Sequence, residues 1–274
     1  MVFSQQNFDK LSEYIYRKSG ISLEHTAHYD KLYKQLKKRA NEENYSSFRS
    51  YFYALRFGDY KDQEFESLIN AVTVNETYFF RENHQFEILI DDVLPTIHAN
   101  KKANEPIRIL SAPCSSGEEP YSIALHLLEN DDLINKRDFE LVGIDIDSQI
   151  IDKANRGIYS ERSVHVLSSE IKDRYFTKKN GSYELDPDIR GAISFKKANV
   201  FDKKEMHDLG KFDVIFSRNM LIYFDDVSRK EVAMNFYNML NPKGFILLGH
   251  AEYMNRIVTV FKPVEFKKHI IYQK

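Results

Sequence analysis

The feature that most constrains the fold is the alternation of short apolar runs with helical segments after Pro106. The apolar runs along this part of the chain are IRILSA, FELVGI, FDVIFS and GFILLG. Strands that alternate with helices in this way form strand–helix–strand units and a parallel sheet. The later segments VTVFKPV and HIIYQ predict a closing pair of antiparallel strands. We therefore expect an α/β fold with a mostly parallel sheet and antiparallel C-terminal strands.

Two other regions depart from this alternation. Residues 1–80 repeat apolar positions at helical spacing and predict an N-terminal helical domain, with the remaining domain at 81–274. Within the second domain, the stretch 158–198 breaks the strand–helix rhythm. It contains Asn180-Gly181 between aromatic-rich segments, which is a strong signal for a tight hairpin turn. We expect this stretch to be a small β-insertion.

The loop after the first predicted strand reads PCSSGEEPYS and has an unusual charge. It is neither a P-loop nor a dinucleotide-binding loop, because Gly117 is its only glycine. Glu118 and Glu119 would repel a pyrophosphate, whereas they suit a cationic group such as a sulfonium or an ammonium. Favourable charge at a helix N-terminus explains the two acids equally well.

A second acidic signal lies at the tip of the second predicted strand, in GIDID. An acid at this place accepts hydrogen bonds from the hydroxyls of an adenosine ribose, in NAD as well as in S-adenosylmethionine. A helix cap is the alternative role, and it suits Asp147 better than Asp145. Together with the acidic first loop, Asp145 favours the sulfonium cofactor. A polar strand end followed by aromatic residues, from Ser217 to Phe224, suits the lip of an active site or ordinary strand-to-helix packing.

Composition excludes several other classes of protein. The net charge of about −2 lacks the field of a nonspecific nucleic-acid binder. The single cysteine, Cys114, excludes a cysteine-rich zinc site, the nine histidines are scattered, and we expect no metal. We see no signal peptide and no apolar run that approaches the length of a membrane span, so we expect a cytoplasmic protein that is not inserted in a membrane.

Four strings taken together resemble one family closely, the bacterial chemotaxis receptor methyltransferases (CheR). The strings are NETYFFRE (75–82), ILSAPCSSGEEPYSIA (109–124), GIDIDSQIIDKANRGIY (143–159) and FDVIFSRNMLIYF (212–224). The resemblance implies a Rossmann-like, S-adenosylmethionine-dependent methyltransferase fold with an N-terminal receptor-recognition domain. It implies methyl transfer to glutamate side chains on the cytoplasmic helices of chemoreceptors, which yields glutamate methyl esters and S-adenosylhomocysteine.

The resemblance also assigns residues. The implied cofactor-binding residues are Asn75, Thr77, Arg81, Glu119, Asp145, Asn199, Val200, Ser217 and Arg218. Arg81 and Tyr223 match the catalytic pair placed beside the transferred methyl group. The resemblance makes the amphipathic segment Tyr29–Asn41 a docking helix for the receptor, with Lys34, Lys37, Lys38 and Arg39 as substrate-binding residues.

Three alternatives stay open at this point. The first alternative is that the basic segment around Lys34 is only a solvated helix face. The second is that the chain is a methyltransferase that acts on another substrate, such as a small acid or a nucleic acid. The third is that it is a CheR-like module that binds S-adenosylmethionine without turnover. The intact NETYFFR string and the presence of both Arg81 and Tyr223 argue against the last two alternatives, so we expect receptor helices rather than nucleic acid as partners.

Overall fold

A computed structural model of the chain describes residues 3–43, 45–74, 76–102, 104–130 and 137–274. The chain forms two compact units. The first unit comprises Met1–Asn75 and Ile222–Ser228, and the second comprises Glu76–Leu221 and Arg229–Lys274. In the described part of the chain, no helix combines the length and the apolar character that crossing a membrane requires.

The first unit is helical, as the spacing of its apolar residues predicts. Its helices are α1 (Gln5–Ser19), α2 (His25–Glu42), α3 (Phe48–Phe57) and α4 (Lys61–Val72). The Ser4 side chain caps the start of α1 by accepting a hydrogen bond from Asn7 N, and Gly20 ends the helix with φ of 74°. Leu32 and Leu36 of α2 are fully buried, so this helix packs through the apolar face that the sequence predicts.

A buried ion pair joins α2 to α4. The guanidinium of Arg39 donates hydrogen bonds to both carboxylate oxygens of Glu64, whose side chain is 3% exposed. The same guanidinium also contacts Glu42 and Glu43 at the end of α2. Arg39 is therefore engaged inside the helical unit, whereas Lys38 before it is exposed and lies 3.9 Å from Glu42.

The second unit contains every strand of the described chain. These are β1 (Ile107–Ser111), β2 (Phe139–Asp145), β3 (Ile158–Tyr159), β4 (Phe176–Lys179), β5 (Ser182–Leu185), β6 (Ile193–Lys197), β7 (Phe212–Ser217), β8 (Leu240–Leu248), β9 (Lys262–Phe266) and β10 (His269–Gln273). The large sheet has the order β6-β2-β1-β7-β8-β10-β9. Its first five strands are parallel, and β10 and β9 are antiparallel. The predicted α/β fold class is confirmed.

The remaining helices are α5 (His84–Ile88), α6 (Leu94–Asn100), α7 (Glu118–Leu128), α8 (Ser148–Arg156), α9 (Glu161–Val164), α10 (Ser169–Tyr175), α11 (Pro187–Gly191), α12 (Lys203–Asp208) and α13 (Asp226–Met239). Of these, α5 and α6 precede β1 and the others lie between the strands. A π-helical turn, Leu89–Val93, joins α5 to α6, and 3₁₀ turns lie at Leu221–Tyr223 and Met254–Arg256. Buried side chains from β1, β7 and β8 form one core with α5 and α7.

The stretch 158–198 contains a small separate sheet of three strands, β3, β4 and β5, whereas β6 at its end belongs to the large sheet. The order of the small sheet is β3-β5-β4, and both pairs are antiparallel. Asn180 and Gly181 connect β4 to β5 with φ of 51° and 77°. Positive φ at both central residues is what a tight type I′ hairpin turn requires, and it explains why the Asn-Gly pair predicts this turn.

Candidate active site

The loop between β1 and α7 is fixed by close contacts at the carboxyl end of the sheet. Cys114 N donates to Ile144 O at 2.8 Å, and the Tyr159 hydroxyl donates to Ser116 O at 2.9 Å. Gly117 has φ of 95°, and a Cβ there would lie 3.0 Å from the Ala154 Cβ. Only glycine meets both the conformation and the spacing, so this loop is built around Gly117.

Asp145 ends β2 beside this loop. Its Oδ2 accepts a hydrogen bond from Ser115 N at 3.0 Å, and its Oδ1 accepts one from Asp147 N at 3.2 Å. Burial raises the pKa of Asp145 to about 6, although the backbone donors act in the opposite direction. A carboxylate has about four acceptor positions, so this one can still receive a hydroxyl group of a ligand beside its backbone donors. Asp147 is the cap of α8, as expected, with its side chain accepting from Gln149 N at 2.8 Å.

The two glutamates at the start of α7 have different environments. Glu118 is 2% exposed and accepts a hydrogen bond from the Ser116 hydroxyl at 2.7 Å. Glu119 accepts from the Ser111 hydroxyl at 2.7 Å and from Arg218 Nη1 at 3.0 Å. Burial raises the pKa of both carboxyls, and for Glu119 the charge of Arg218 opposes that effect. Glu119 is thus the member of the pair that joins two strand ends.

Arg218 links three segments of the second unit. Besides Glu119, its guanidinium donates to the backbone carbonyl of Arg81 at 2.5 Å and lies 3.5 Å from the Glu82 carboxylate. It also lies over the Phe86 ring, 5.6 Å from the centroid. The side chain is 3% exposed, so its charge is compensated by these groups rather than by water. The sequence interpretation did not include Glu82 in the site.

The structure describes two of the three site residues predicted in NETYFFRE, Thr77 and Arg81. Asn75 lies outside the described residues. Thr77 is half-buried. The Arg81 side chain donates to Glu76 O at 2.6 Å and lies 6.0 Å from the centroid of the Tyr78 ring. Among the described residues, no carboxylate lies within ion-pair distance of the Arg81 guanidinium.

Asn199 and Val200 follow β6, next to the end of β2. Ala198 N donates to Asp145 O at 2.9 Å, which ties the start of this segment to the predicted ribose acid. Asn199 Oδ1 accepts from Phe201 N at 3.1 Å, and Val200 O accepts from Asn235 Nδ2 at 2.9 Å. The parallel pairing of β2 and β6 therefore brings Asn199 and Val200 to the same edge of the sheet as Asp145.

Two hydroxyls at this edge have no partner. In the described part of the chain, Ser115 Oγ and Ser217 Oγ are inaccessible to solvent and accept or donate no hydrogen bond. Buried polar groups are normally paired, so these two hydroxyls are exceptions to the usual pairing. The carboxylates of Asp145 and Glu119 at this end of the sheet fit a ligand with a diol and a positive charge.

The remaining predicted residues lie in the first unit. The Tyr223 hydroxyl accepts from Val74 N at 2.8 Å, and the ring is half-buried. Lys34, Lys37 and Lys38 are exposed on α2. Arg39 differs, because its guanidinium is engaged with Glu64, and its predicted receptor contact stays a prediction.

One buried acid of this edge escaped the sequence interpretation. Glu252 follows β8, is 8% exposed and accepts four backbone hydrogen bonds. His250, two positions before it, is exposed, and its Nδ1 lies 3.3 Å from Glu82 Oε1. The sequence pattern that indicates Glu252 is an acid shortly after the apolar strand GFILLG, which ends in a glycine.

The chain is similar to known proteins along its length. A family model described as CheR methyltransferase, SAM binding domain, matches residues 75–270, and one described as CheR methyltransferase, all-alpha domain, matches residues 6–73. The chain is 44% identical over 275 residues to chemotaxis protein methyltransferase 2 of Vibrio cholerae serotype O1, with 100% of this chain and 94% of that protein covered. It is 32% identical over 266 residues to the chemotaxis protein methyltransferase of Salmonella typhimurium, with 95% and 88% covered.

These matches identify the ligand that the carboxylates of the site fit. The matched domain binds S-adenosyl-L-methionine, which carries a ribose diol, an ammonium group and a sulfonium. The carboxylates at the carboxyl end of the sheet suit such a molecule. The chain belongs to the CheR methyltransferase family and is an S-adenosylmethionine-dependent methyltransferase of chemotaxis.

Proposed function

We propose that the protein methylates glutamate side chains on the cytoplasmic helices of chemoreceptors. The products are glutamate methyl esters and S-adenosylhomocysteine. The observation that carries this proposal is the Arg81 guanidinium, which has no carboxylate partner among the described residues. Arg218 and Arg39, by contrast, are both paired with glutamates. A guanidinium that meets no carboxylate in the described part of the chain suits the carboxylate of an incoming substrate.

The chemistry needs positioning rather than an activated nucleophile. S-adenosylmethionine, when bound, supplies a methyl group on an electrophilic sulfonium. A substrate glutamate is already ionised near neutral pH, so no general base is required. We propose that Arg81 holds this carboxylate through charge-assisted hydrogen bonds, and that its backbone carbonyl, fixed by Arg218, keeps the residue in place. Holding reacting groups in line accounts for a large part of the rate of such a step.

Tyr223 is the second proposed catalytic residue, on the family resemblance. Its hydroxyl accepts from Val74 N at 2.8 Å and lies 3.3 Å from Val74 O. These contacts fix the orientation of the ring and of its oxygen. We propose that the hydroxyl hydrogen turns from Val74 O to the substrate carboxylate and orients it, which is a smaller contribution than that of a charged group.

Receptor recognition is the proposed role of residues 1–80, through the exposed face of α2. Lys34, Lys37 and Lys38 project from this helix into solvent, and the stretch from Lys31 to Arg39 contains five bases and no acid. Such a face suits an acidic helical substrate. Because the proposed substrates are the cytoplasmic parts of receptors, the protein would act in the cytoplasm.

Transfer of tritiated methyl groups to receptor-containing membranes tests the proposed substrate. Methyl esters release volatile methanol in alkali, so we expect base-labile label on the receptor band. Alkali-stable label would contradict the proposal and indicate another methylated group. Absence of label together with calorimetric binding of S-adenosylhomocysteine would indicate a binding module.

A charge-reversal pair tests the proposed docking face. Lys34→Glu combined with Lys38→Glu should weaken receptor methylation and leave the affinity for S-adenosylhomocysteine unchanged. The matched control is Lys10→Glu with Lys61→Glu, which changes two exposed lysines of the same unit and alters the net charge equally. Wild-type methylation at low receptor concentration should also fall as salt rises, because exposed charges are screened. Equal rates for both pairs would show that the α2 lysines form only a solvated face.

A further inference from the structure

The buried carboxylate of Glu252 holds two loops together at the carboxyl end of the sheet. Its Oε1 accepts hydrogen bonds from the backbone N–H groups of Met220 at 3.0 Å and Leu221 at 2.7 Å. Its Oε2 accepts from those of Asn219 and Gly249, both at 2.9 Å. Hydrogen bonds to an ionised acceptor are about twice as strong as neutral ones, so this side chain fixes the turn after β7 firmly.

The turn that Glu252 holds has a backbone conformation that needs support. Asn219 has φ of 57°, which lies in the left-handed region. A residue in this region persists where its surroundings hold it. Gly249 lets Glu252 and the backbone of Asn219 approach closely. A Cβ at this position would lie 2.9 Å from Glu252 Oε2 and 3.0 Å from Asn219 N.

The same turn carries Arg218 directly before Asn219. The Arg218 guanidinium reaches both the Glu119 carboxylate and the Arg81 carbonyl. Its Nε has no hydrogen-bond partner in the described part of the chain, so the placement of this group depends on its backbone, on these two acceptors and on the Glu82 carboxylate. A displacement of the turn would move the guanidinium away from them.

We propose that Glu252 is a positioning residue of the S-adenosylmethionine site. It fixes the 219–221 turn so that Arg218 is held against Glu119 and the Arg81 backbone. This inference rests on the proposed place of Arg218 in the cofactor site, and it is independent of which substrate receives the methyl group.

The test compares two buried carboxylates at opposite ends of the same strands. Glu252→Gln keeps the shape of the side chain but places an amide donor against backbone donors. The control is Asp213→Asn, at the start of β7. Asp213 is 4% exposed and accepts from Arg108 N at 2.9 Å and Asn241 Nδ2 at 2.8 Å, away from the cofactor edge.

Both substitutions should lower the melting temperature of the full chain. Only Glu252→Gln should also weaken S-adenosylhomocysteine binding in calorimetry, by about tenfold or more, because a charged acceptor is lost. Its KM for S-adenosylmethionine should rise more than its kcat falls. If Glu252→Gln does not fold, Gly249→Ala displaces the same carboxylate, and we expect the same loss of affinity.

Arg218→Ala separates the role of Arg218 in the cofactor site from the positioning role of Glu252. Loss of affinity in both Arg218→Ala and Glu252→Gln, with wild-type affinity in Asp213→Asn, supports the positioning role. Loss in Arg218→Ala alone would overturn that role and leave Arg218 in the cofactor site. Wild-type affinity in Arg218→Ala would remove Arg218 from the cofactor site and overturn the inference with it. Equal loss of affinity in Glu252→Gln and Asp213→Asn would show a general effect of stability and also overturn it.

Discussion

Replacing Asp145 with asparagine should make the ligand-free protein more stable and the cofactor complex weaker. Burial raises the pKa of Asp145 from 3.8 to about 6, because the ionised form is disfavoured at the end of β2. At about 1.4 kcal/mol per pKa unit, the ionised carboxylate costs the folded state about 3 kcal/mol above pH 6. An asparagine side chain at this position carries no such penalty, since it is neutral at every pH used. The change in charge therefore favours the variant.

The hydrogen bonds of Asp145 reduce this gain. The carboxylate accepts from Ser115 N and Asp147 N, one on each oxygen. An asparagine would present its amide to one of these donors, which costs about 1–2 kcal/mol. The expected net gain is therefore about 1–2 kcal/mol above pH 6, or a rise of about 2–8 °C in melting temperature.

The pH dependence provides the sharpest check. Because the folded pKa lies above the unfolded one, the penalty on the wild type is present above about pH 6 and disappears as pH falls towards 4. Scanning calorimetry without ligand should show the variant melting higher than the wild type at pH 8 and lower near pH 4, where the penalty is gone and the lost hydrogen bond remains. A variant that melts below the wild type at pH 8 would refute the reasoning.

Cofactor binding should change in the opposite direction. A neutral amide is a weaker acceptor for the ribose hydroxyls, so S-adenosylhomocysteine affinity at pH 8 should fall by about tenfold or more. The wild-type affinity should itself decline as pH drops through about 6 and Asp145 becomes protonated. Asp147→Asn is the matched control, because asparagine also caps helices well and should preserve both stability and affinity. Unchanged affinity in Asp145→Asn would remove this residue from the ribose site.

Three further predictions concern other residues. Arg81→Ala should lower turnover at saturating S-adenosylmethionine by about a hundredfold or more while S-adenosylhomocysteine affinity changes little, and Arg81→Lys should recover only part, because an ammonium lacks the planar fork of donors. Gly117→Ala should lower the free energy of unfolding in urea by about 1–3 kcal/mol, because it forces a positive φ and a crowded Cβ. Arg39→Ala should cost about 3–5 kcal/mol in the same measurement, since it leaves the buried Glu64 unpaired.

Each of these has an outcome that would contradict it. Near-normal turnover of Arg81→Ala at saturating cofactor would make Arg81 dispensable for chemistry. Wild-type unfolding curves for Gly117→Ala would show that the loop relaxes around the added methyl. A stable Arg39→Ala protein with impaired receptor binding would favour the predicted receptor contact over the ion pair with Glu64.

The sequence predicts features that depend on local chemistry. The alternation of strands and helices follows from the spacing of apolar residues, and the structure has the expected parallel strands. The hairpin at Asn180-Gly181 and the cap at Asp147 are equally local, because turn and cap residues act within a few positions of themselves. The place of Asp145 is predictable for the same reason, since a strand end can be recognised from its own residues.

Pairings between distant segments could not be predicted in this way. Glu118 and Glu119 are neighbours in sequence, but only Glu119 meets Arg218, which is 99 positions away. Arg39 looks like one more base of a charged helix face until α4 places Glu64 beside it. Glu252 is ordinary in sequence, because its role comes from backbone donors in another loop. In each case the missing information is which loops the sheet order brings together.

The strand order of the large sheet also determines which strands are outermost and can pair with strands of other molecules. In the described part of the chain, β6 and β9 are the edge strands of this sheet, and an edge strand offers unpaired backbone groups to a strand of another molecule. β6 ends in the exposed pair Lys196 and Lys197, and β9 begins with the exposed pair Lys262 and Pro263. Proline has no N–H to donate, and like charges repel a second copy of the same edge. Both borders therefore oppose aggregation by strand addition.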